Sequence, residues 1–248
     1  LSIEMLANFN PCFVLDLTAT PKKHSNIISY VDAVQLKAEH MVKLPVIVYN
    51  RGSQAEVLMD TIDLRDKLEE IAAAEYQNGG KYIRPIALLQ AQPKGKEDAT
   101  TFEKLRAELM NTGIPAEHIA IRTADVNELK NVDLLSPDCP VRYIITVNAL
   151  KEGWDCPFAY ILASLANKTS QVDVEQILGR ILRLPYTAER RAKSLNMSYV
   201  LTSSNDFNDT VQQIIRGLNS AGFSDRDCRL AEPVEPAKPA PVPEQLPI

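Results

Sequence analysis

Short apolar runs alternate with stretches of helical periodicity along most of this chain. Residues 83–91 (IRPIALLQA), 119–122 (IAIR), 141–147 (VRYIITV), 158–165 (FAYILASL) and 197–202 (MSYVLT) are nearly continuous in apolar residues. That is the pattern of strands covered on both faces. Residues 43–50 (KLPVIVYN) add a strand rich in β-branched residues, with Pro45 confining its beginning to an edge or a first position. Between these runs, Val57, Leu58, Ile62, Leu64, Leu68, Ile71 and Ala72 recur at helical spacing over 54–77, and Asn78-Gly79-Gly80 supplies a stop. A second helix is expected over 99–111, with Phe102, Leu105, Leu109 and Met110 on one face, and a third over 207–218. Apolar strands alternating with amphipathic helices predict an α/β fold, a parallel sheet with helices on both faces in a three-layer sandwich. The remainder is less regular. Residues 1–11 read as a short helix or turn, 13–17 as a buried strand, and 27–33 and 34–40 as short strands or a strand and a turn. The end of the chain, with Pro233, Pro236, Pro239, Pro241, Pro243 and Pro247, reads as an extended linker without a core.

Composition narrows the class of protein. Of the 248 residues, 45% are hydrophobic, enough for a real core. The net charge of −5 argues against a surface coated in positive charge, but it leaves room for a local nucleic-acid groove. Cys12, Cys139, Cys156 and Cys228 are far apart, and the three histidines lie near none of them. No zinc site, other metal site or disulfide framework is therefore expected, and a reducing cytoplasm is the expected setting. No apolar run approaches the roughly 18 residues of a membrane span, and the start LSIEMLANFN lacks the regions of a signal peptide. That start also lacks an initiator Met, so a piece of a longer protein is expected.

Residues 172–185 (VDVEQILGRILRLP) carry the most specific chemistry. Val174, Ile177, Leu178, Ile181 and Leu182 form an apolar side. Gln176, Arg180 and Arg183, at i, i+4 and i+7, share the other. Two arginines on one rigid face make an anion clamp, because guanidinium is always charged and forks onto phosphate oxygens. Gly179, unfavourable in a helix by roughly 1 kcal/mol relative to Ala, suggests that something approaches the backbone there. Taken alone, the pattern also fits a surface helix with a solvated basic face. A second stretch, 148–157 (NALKEGWDCP), follows the strand 141–147. There Glu152, Gly153 and Asp155 read as a tight turn at the strand's carboxyl end, suited to phosphate or ribose contacts. The tripeptide Gly79-Gly80-Lys81 is not a phosphate loop. Glu75 stands where the first Gly should be, Tyr82 follows the Lys, and a helix precedes it instead of a strand.

With LTATP at 17–21, ITVNALKEGWDCP at 145–157 and QILGRILR at 176–183 in order, the chain resembles superfamily 2 helicases and translocases in their motifs III, V and VI. The wording is most similar to the restriction (Res) subunits of type III restriction–modification enzymes. The resemblance implies a RecA-like helicase C-terminal lobe of P-loop NTPase type. Residues 1–21 would end a first lobe, 22–53 would connect the lobes, 54–220 would form the second lobe, and 221–248 the tail. It further implies that Arg183 reaches the γ-phosphate of ATP, that Arg180 is its companion, and that Gln176 joins the nucleotide-side network. Gly153, Asp155 and Gly179 would lie at the nucleotide. Thr18, Ala19 and Thr20 would couple hydrolysis to lobe movement. Many relatives carry a phosphate-contacting Thr six residues before the motif V Gly. Val147 stands there in this chain, which leaves Asn148 and the neighbouring Thr146 as candidates for nucleic acid. ATP with Mg2+ would be the cofactors of the intact parent, whose P-loop and acidic box this chain does not contain. Double-stranded DNA, the first lobe and, in a type III system, a modification methyltransferase would be the partners, in a bacterial or archaeal cytoplasm without a membrane role. A repair or remodelling helicase without a nuclease, and a non-catalytic α/β interaction module, are the alternatives.

Overall fold

In a computed structural model, which describes residues 5, 8–15, 26–29, 31–92, 101–147, 155–165, 181–203, 207–220 and 222–231, the strands form one parallel sheet. They are β1 (Val46–Asn50), β2 (Ile86–Gln90), β3 (Ile119–Arg122), β4 (Tyr143–Thr146), β5 (Ala159–Ser164), β6 (Ser198–Thr202) and β7 (Cys228–Leu230). Their order is β3-β4-β2-β5-β6-β1-β7, and every pairing is parallel. The helices are α1 (Ala33–Ala38), α2 (Gln54–Gln77), α3 (Phe102–Asn111) and α4 (Phe207–Ser220) among the described residues. Strands β2, β4, β5 and β6 are buried at every residue, as their unbroken apolar runs require. This is an α/β fold with a parallel sheet flanked by helices, of the RecA-like, P-loop NTPase type.

Local chemistry sets the element ends. Ser53 caps α2 by accepting from the Glu56 amide at 3.2 Å, and Thr101 caps α3 through the Lys104 amide. Helix α2 turns Val57, Leu58, Thr61, Arg65, Leu68 and Ala72 inward. Its end explains Gly79-Gly80: Gly79 has φ +84°, and a Cβ on Gly80 would sit 2.8 Å from the Glu75 carbonyl oxygen. The pair terminates a helix.

Arg84 enters the core just before β2 and is fully buried. It donates to the carbonyls of Val141 (3.0 Å), Ser136 (2.8 Å) and Leu134 (2.6 Å), and so fixes the irregular segment that leads into β4.

The structure departs from expectation in four places. Residues 13–15 are in no strand, and Phe13, Val14 and Leu15 are exposed. An apolar run without periodicity becomes a strand only where a neighbour pairs with it. Residues 33–38 are helical, because Ala, Gln, Leu and Lys outweigh the scattered β-branched residues around them. Strand β1 is an interior member of the sheet, between β6 and β7, so a boundary at 53/54 cuts it from its partners. Strand β7 lies in the stretch read as tail. The chain divides into compact units Leu1–Asp32 and Ala33–Ile248.

Candidate functional site

Parallel strands force the chain to cross from one sheet edge to the other between them. That rule divides the candidate residues. Thr146 ends β4 at the carboxyl edge, whereas Asp155 precedes β5 and lies at the amino edge. The expectation that Asp155 shares a turn with the end of the strand 141–147 is thus corrected. The two residues therefore stand at opposite ends of their strands, with β2 between β4 and β5.

At the amino edge, Asp155 meets Arg183. Arg183 Nη1 donates to Asp155 Oδ2 in a short ion pair whose side chains are 60% and 49% exposed. What is built into the fold is the main chain beneath. Arg183 pairs antiparallel with Val42. The Lys43 amide donates to the Leu182 carbonyl at 2.5 Å, and the Leu184 amide to the Met41 carbonyl at 2.9 Å. Ser198 Oγ, at the first residue of β6, donates to the carbonyls of Lys43 (3.1 Å) and Ile181 (3.2 Å). Ile181, Leu182 and Leu184 are buried on either side. Arg183 therefore stands on an extended bridge. Its expected place on a helical face at i+7 from Gln176 is corrected, because residue 182 has left the helical conformation. Asp155 is fixed from its other side by Cys156, Phe158 and Ala159, all buried. Burial pushes the Cys156 thiol up to about 11, which leaves it unreactive near neutral pH.

At the carboxyl edge lies a feature that the sequence reading missed. Arg122, Thr146, Gln90, Ser164, Thr202 and Asn50 end β3, β4, β2, β5, β6 and β1, and the strand register makes each a lateral neighbour of the next. The polar residue lies at or one position before the end of each apolar run, a signal too weak to single out without the strand register. Ser164 Oγ donates to Gln90 Oε1 at 3.2 Å, while Gln54 and Gln92 side chains both donate to the Leu165 carbonyl. Thr146 is fully buried, and its hydroxyl has no hydrogen-bond partner. A hydroxyl without accessible surface does not reach a strand in an open groove, so Thr146 is withdrawn as a nucleic-acid contact.

The remaining predicted residues (Gln176, Gly179 and Arg180, Gly153, Thr18, Ala19 and Thr20, and Asn148) lie outside the described residues. Among the described residues no cluster of His, Cys, Asp and Glu converges to hold a metal ion, and no helix is long and apolar enough to cross a membrane.

Comparison with known proteins yields no matching family model and no matching curated protein. Solved structures do match. A fragment from Vibrio vulnificus YJ016, assigned to the HsdR subunit of a type I restriction enzyme, aligns over 92% of this chain and 46% of its own length. The TM-score is 0.51 at 15% identity. At that identity the likeness speaks for the fold. The ATP-dependent type ISP restriction–modification enzyme LlaBIII bound to DNA aligns over 79% of this chain and 16% of its own, with TM-score 0.45 and 19% identity. The second helicase domain of the DEAD-box protein Mss116p bound to an RNA duplex aligns over 77% and 66%, with TM-score 0.44 and 13% identity. The chain thus spans less than two thirds of each of these proteins.

Proposed function

We propose that the chain is the second motor lobe of a superfamily 2 DNA-dependent ATPase, of the restriction-enzyme kind that type III Res subunits represent. The observation that carries the reading is the meeting of Asp155 with Arg183, one from each of the two motifs named for the nucleotide cleft. Arg183 combines a firmly anchored main chain with a solvent-facing guanidinium, which suits a group that must reach a ligand on another body. The exposed pair is worth about 0–1 kcal/mol, so an incoming phosphate can take the arginine from Asp155 at little cost. Phosphoryl transfer to water needs charge stabilisation more than covalent chemistry, so an arginine delivered by lobe closure acts as a switch.

In this reading Arg180 accompanies Arg183, Gln176, Gly179 and Gly153 complete the nucleotide side, and Thr18, Ala19 and Thr20 couple the lobes. ATP and Mg2+ are held chiefly by a first lobe, and Asn148 faces double-stranded DNA. The likeness in fold to a type I restriction subunit fits the restriction class without favouring type III within it. A modification methyltransferase is the partner if the system is type III, and the setting is a bacterial or archaeal cytoplasm.

The test is a pair of assays. The purified 248-residue chain is expected to show no magnesium-dependent ATP hydrolysis, while the same chain joined to its first lobe is expected to hydrolyse ATP faster when duplex DNA is added. Turnover by the chain alone, or a joined protein indifferent to DNA, would overturn the proposal.

A further inference from the structure

Lys43 lies directly beneath the Arg183–Asp155 pair and is fully buried. Its Nζ donates to three main-chain carbonyls: Arg183 at 2.6 Å, Pro157 at 2.8 Å and Ala159 at 2.9 Å. The ring of Tyr160 faces the same nitrogen, 4.3 Å from its centroid. In its protonated form one amino group therefore joins the strand that carries Arg183 to the segment that follows Asp155, using all three of its N–H donors. Burying an ammonium carries a desolvation penalty of several kcal/mol, whereas an apolar side chain of similar length would avoid that penalty but leave the three carbonyls without this donor. What the ammonium adds is geometry, because three acceptors converging on one nitrogen leave the two segments a single separation.

We propose that Lys43 is a positioning residue for Arg183, holding the arginine's main chain at a set distance from the 155–159 segment so that the guanidinium enters the cleft in one pose. The inference rests on the reading of Arg183 as the residue that reaches ATP. The groups facing Lys43 are the Cys156 thiol, the Asp155 carboxylate, the Tyr160 ring and the Arg183 main chain. Removing the amino group frees the bridge without touching the guanidinium. Misplacement by about 1 Å from outside the reacting centre can lower a rate by about 100-fold.

The test uses the full-length ATP-hydrolysing protein. Lys43→Met is expected to lower kcat by about 10- to 100-fold, with KM for ATP within about threefold of wild type. Lys43→Gln, which keeps two N–H donors, should recover part of the loss. A folded Lys43→Met with wild-type kcat overturns the proposal, as does a variant whose melting temperature falls while its kcat stays. If neither variant folds, wild-type NMR decides. A slowly exchanging Lys43 ammonium signal, coupled to the carbonyls of 157, 159 and 183 and shifted by a non-hydrolysable ATP analogue, supports the role. A signal that the analogue leaves unmoved ends it. Arg183→Ala separates the two failures: a fully active Arg183→Ala protein sinks the reading of Arg183 as the residue that reaches ATP, whereas an inactive one beside a fully active Lys43→Met sinks only the positioning role.

Discussion

Replacing Arg183 with alanine should separate stability from turnover. The side chain is 60% exposed, and its ion-pair partner Asp155 is 49% exposed. A pair in such surroundings contributes about 0.2–1 kcal/mol after screening by water and salt. Everything else that holds residue 183 is main chain: the bridge to Val42 and the carbonyl bond from Lys43 survive a change to Ala. The loss of stability should thus stay at or below about 1 kcal/mol, which for a domain of this size lowers the melting temperature by no more than about 2–4 °C. The effect on catalysis should be far larger. Withdrawing an arginine that neutralises the transferring phosphoryl group lowers turnover by about 10³–10⁵-fold. Thermal unfolding of the 248-residue chain measures the first quantity, and DNA-stimulated ATP hydrolysis by the full-length protein measures the second. Turnover within about threefold of wild type would refute the role of Arg183. A fall in melting temperature beyond about 10 °C would refute the inference that its side chain is not part of the packing.

Three further outcomes follow from the structure. Arg84→Met strands the carbonyls of Leu134 and Val141, while Ser136 keeps the bond from the Cys139 amide, and should cost about 2–6 kcal/mol in denaturant unfolding; a change under about 1 kcal/mol would refute it. Thr146→Val removes a buried hydroxyl that has no partner, so it should leave stability unchanged or raise it by about 1 kcal/mol, and a clear loss in the same assay would mean the hydroxyl is satisfied. Burial pushes the Lys43 ammonium down from 10.5 to about 7. The unfolded chain therefore keeps a proton that the folded chain has released across that window. Stability should rise with pH above 7, by up to about 1.4 kcal/mol per unit, until the thiols begin to ionise. Parallel melting curves for wild type and Lys43→Met between about pH 6 and 8.5 would contradict this.

Much of the fold was legible because its elements carry strong local signals. The span of α2 and that of β3 follow directly from periodicity and stop residues, and the buried strands read as unbroken apolar runs. Pro45 stands just before β1, at the entry position open to it, and leaves every ladder donor of β1 intact, whereas the interior place of β1 depends on its pairing with β6 and β7, which no local pattern records. The short helix α1 and strand β7 have too few residues for any period to show. Lys43 carried no distinguishing mark, for a lysine ahead of an apolar strand ordinarily reaches solvent. Arg183 was singled out as a candidate on a helical face, and its mounting proved to be an extended bridge. A 3.6-residue spacing continues on paper past the point where the chain turns extended to pair with Val42.

By itself the sequence determined the α/β class, the parallel sheet and the choice of Asp155 and Arg183 as candidates. These depend on hydrophobic periodicity and local chemistry, which neighbouring residues carry among themselves. Only the tertiary structure decided which sheet edge each residue occupies, because the crossover from β4 to β5 separates Thr146 from Asp155 and brings Asp155 to Arg183. It also decided that Lys43, 140 positions away in the chain, anchors the arginine's main chain. Such contacts arise from closing long loops around a common core, and no local pattern records them.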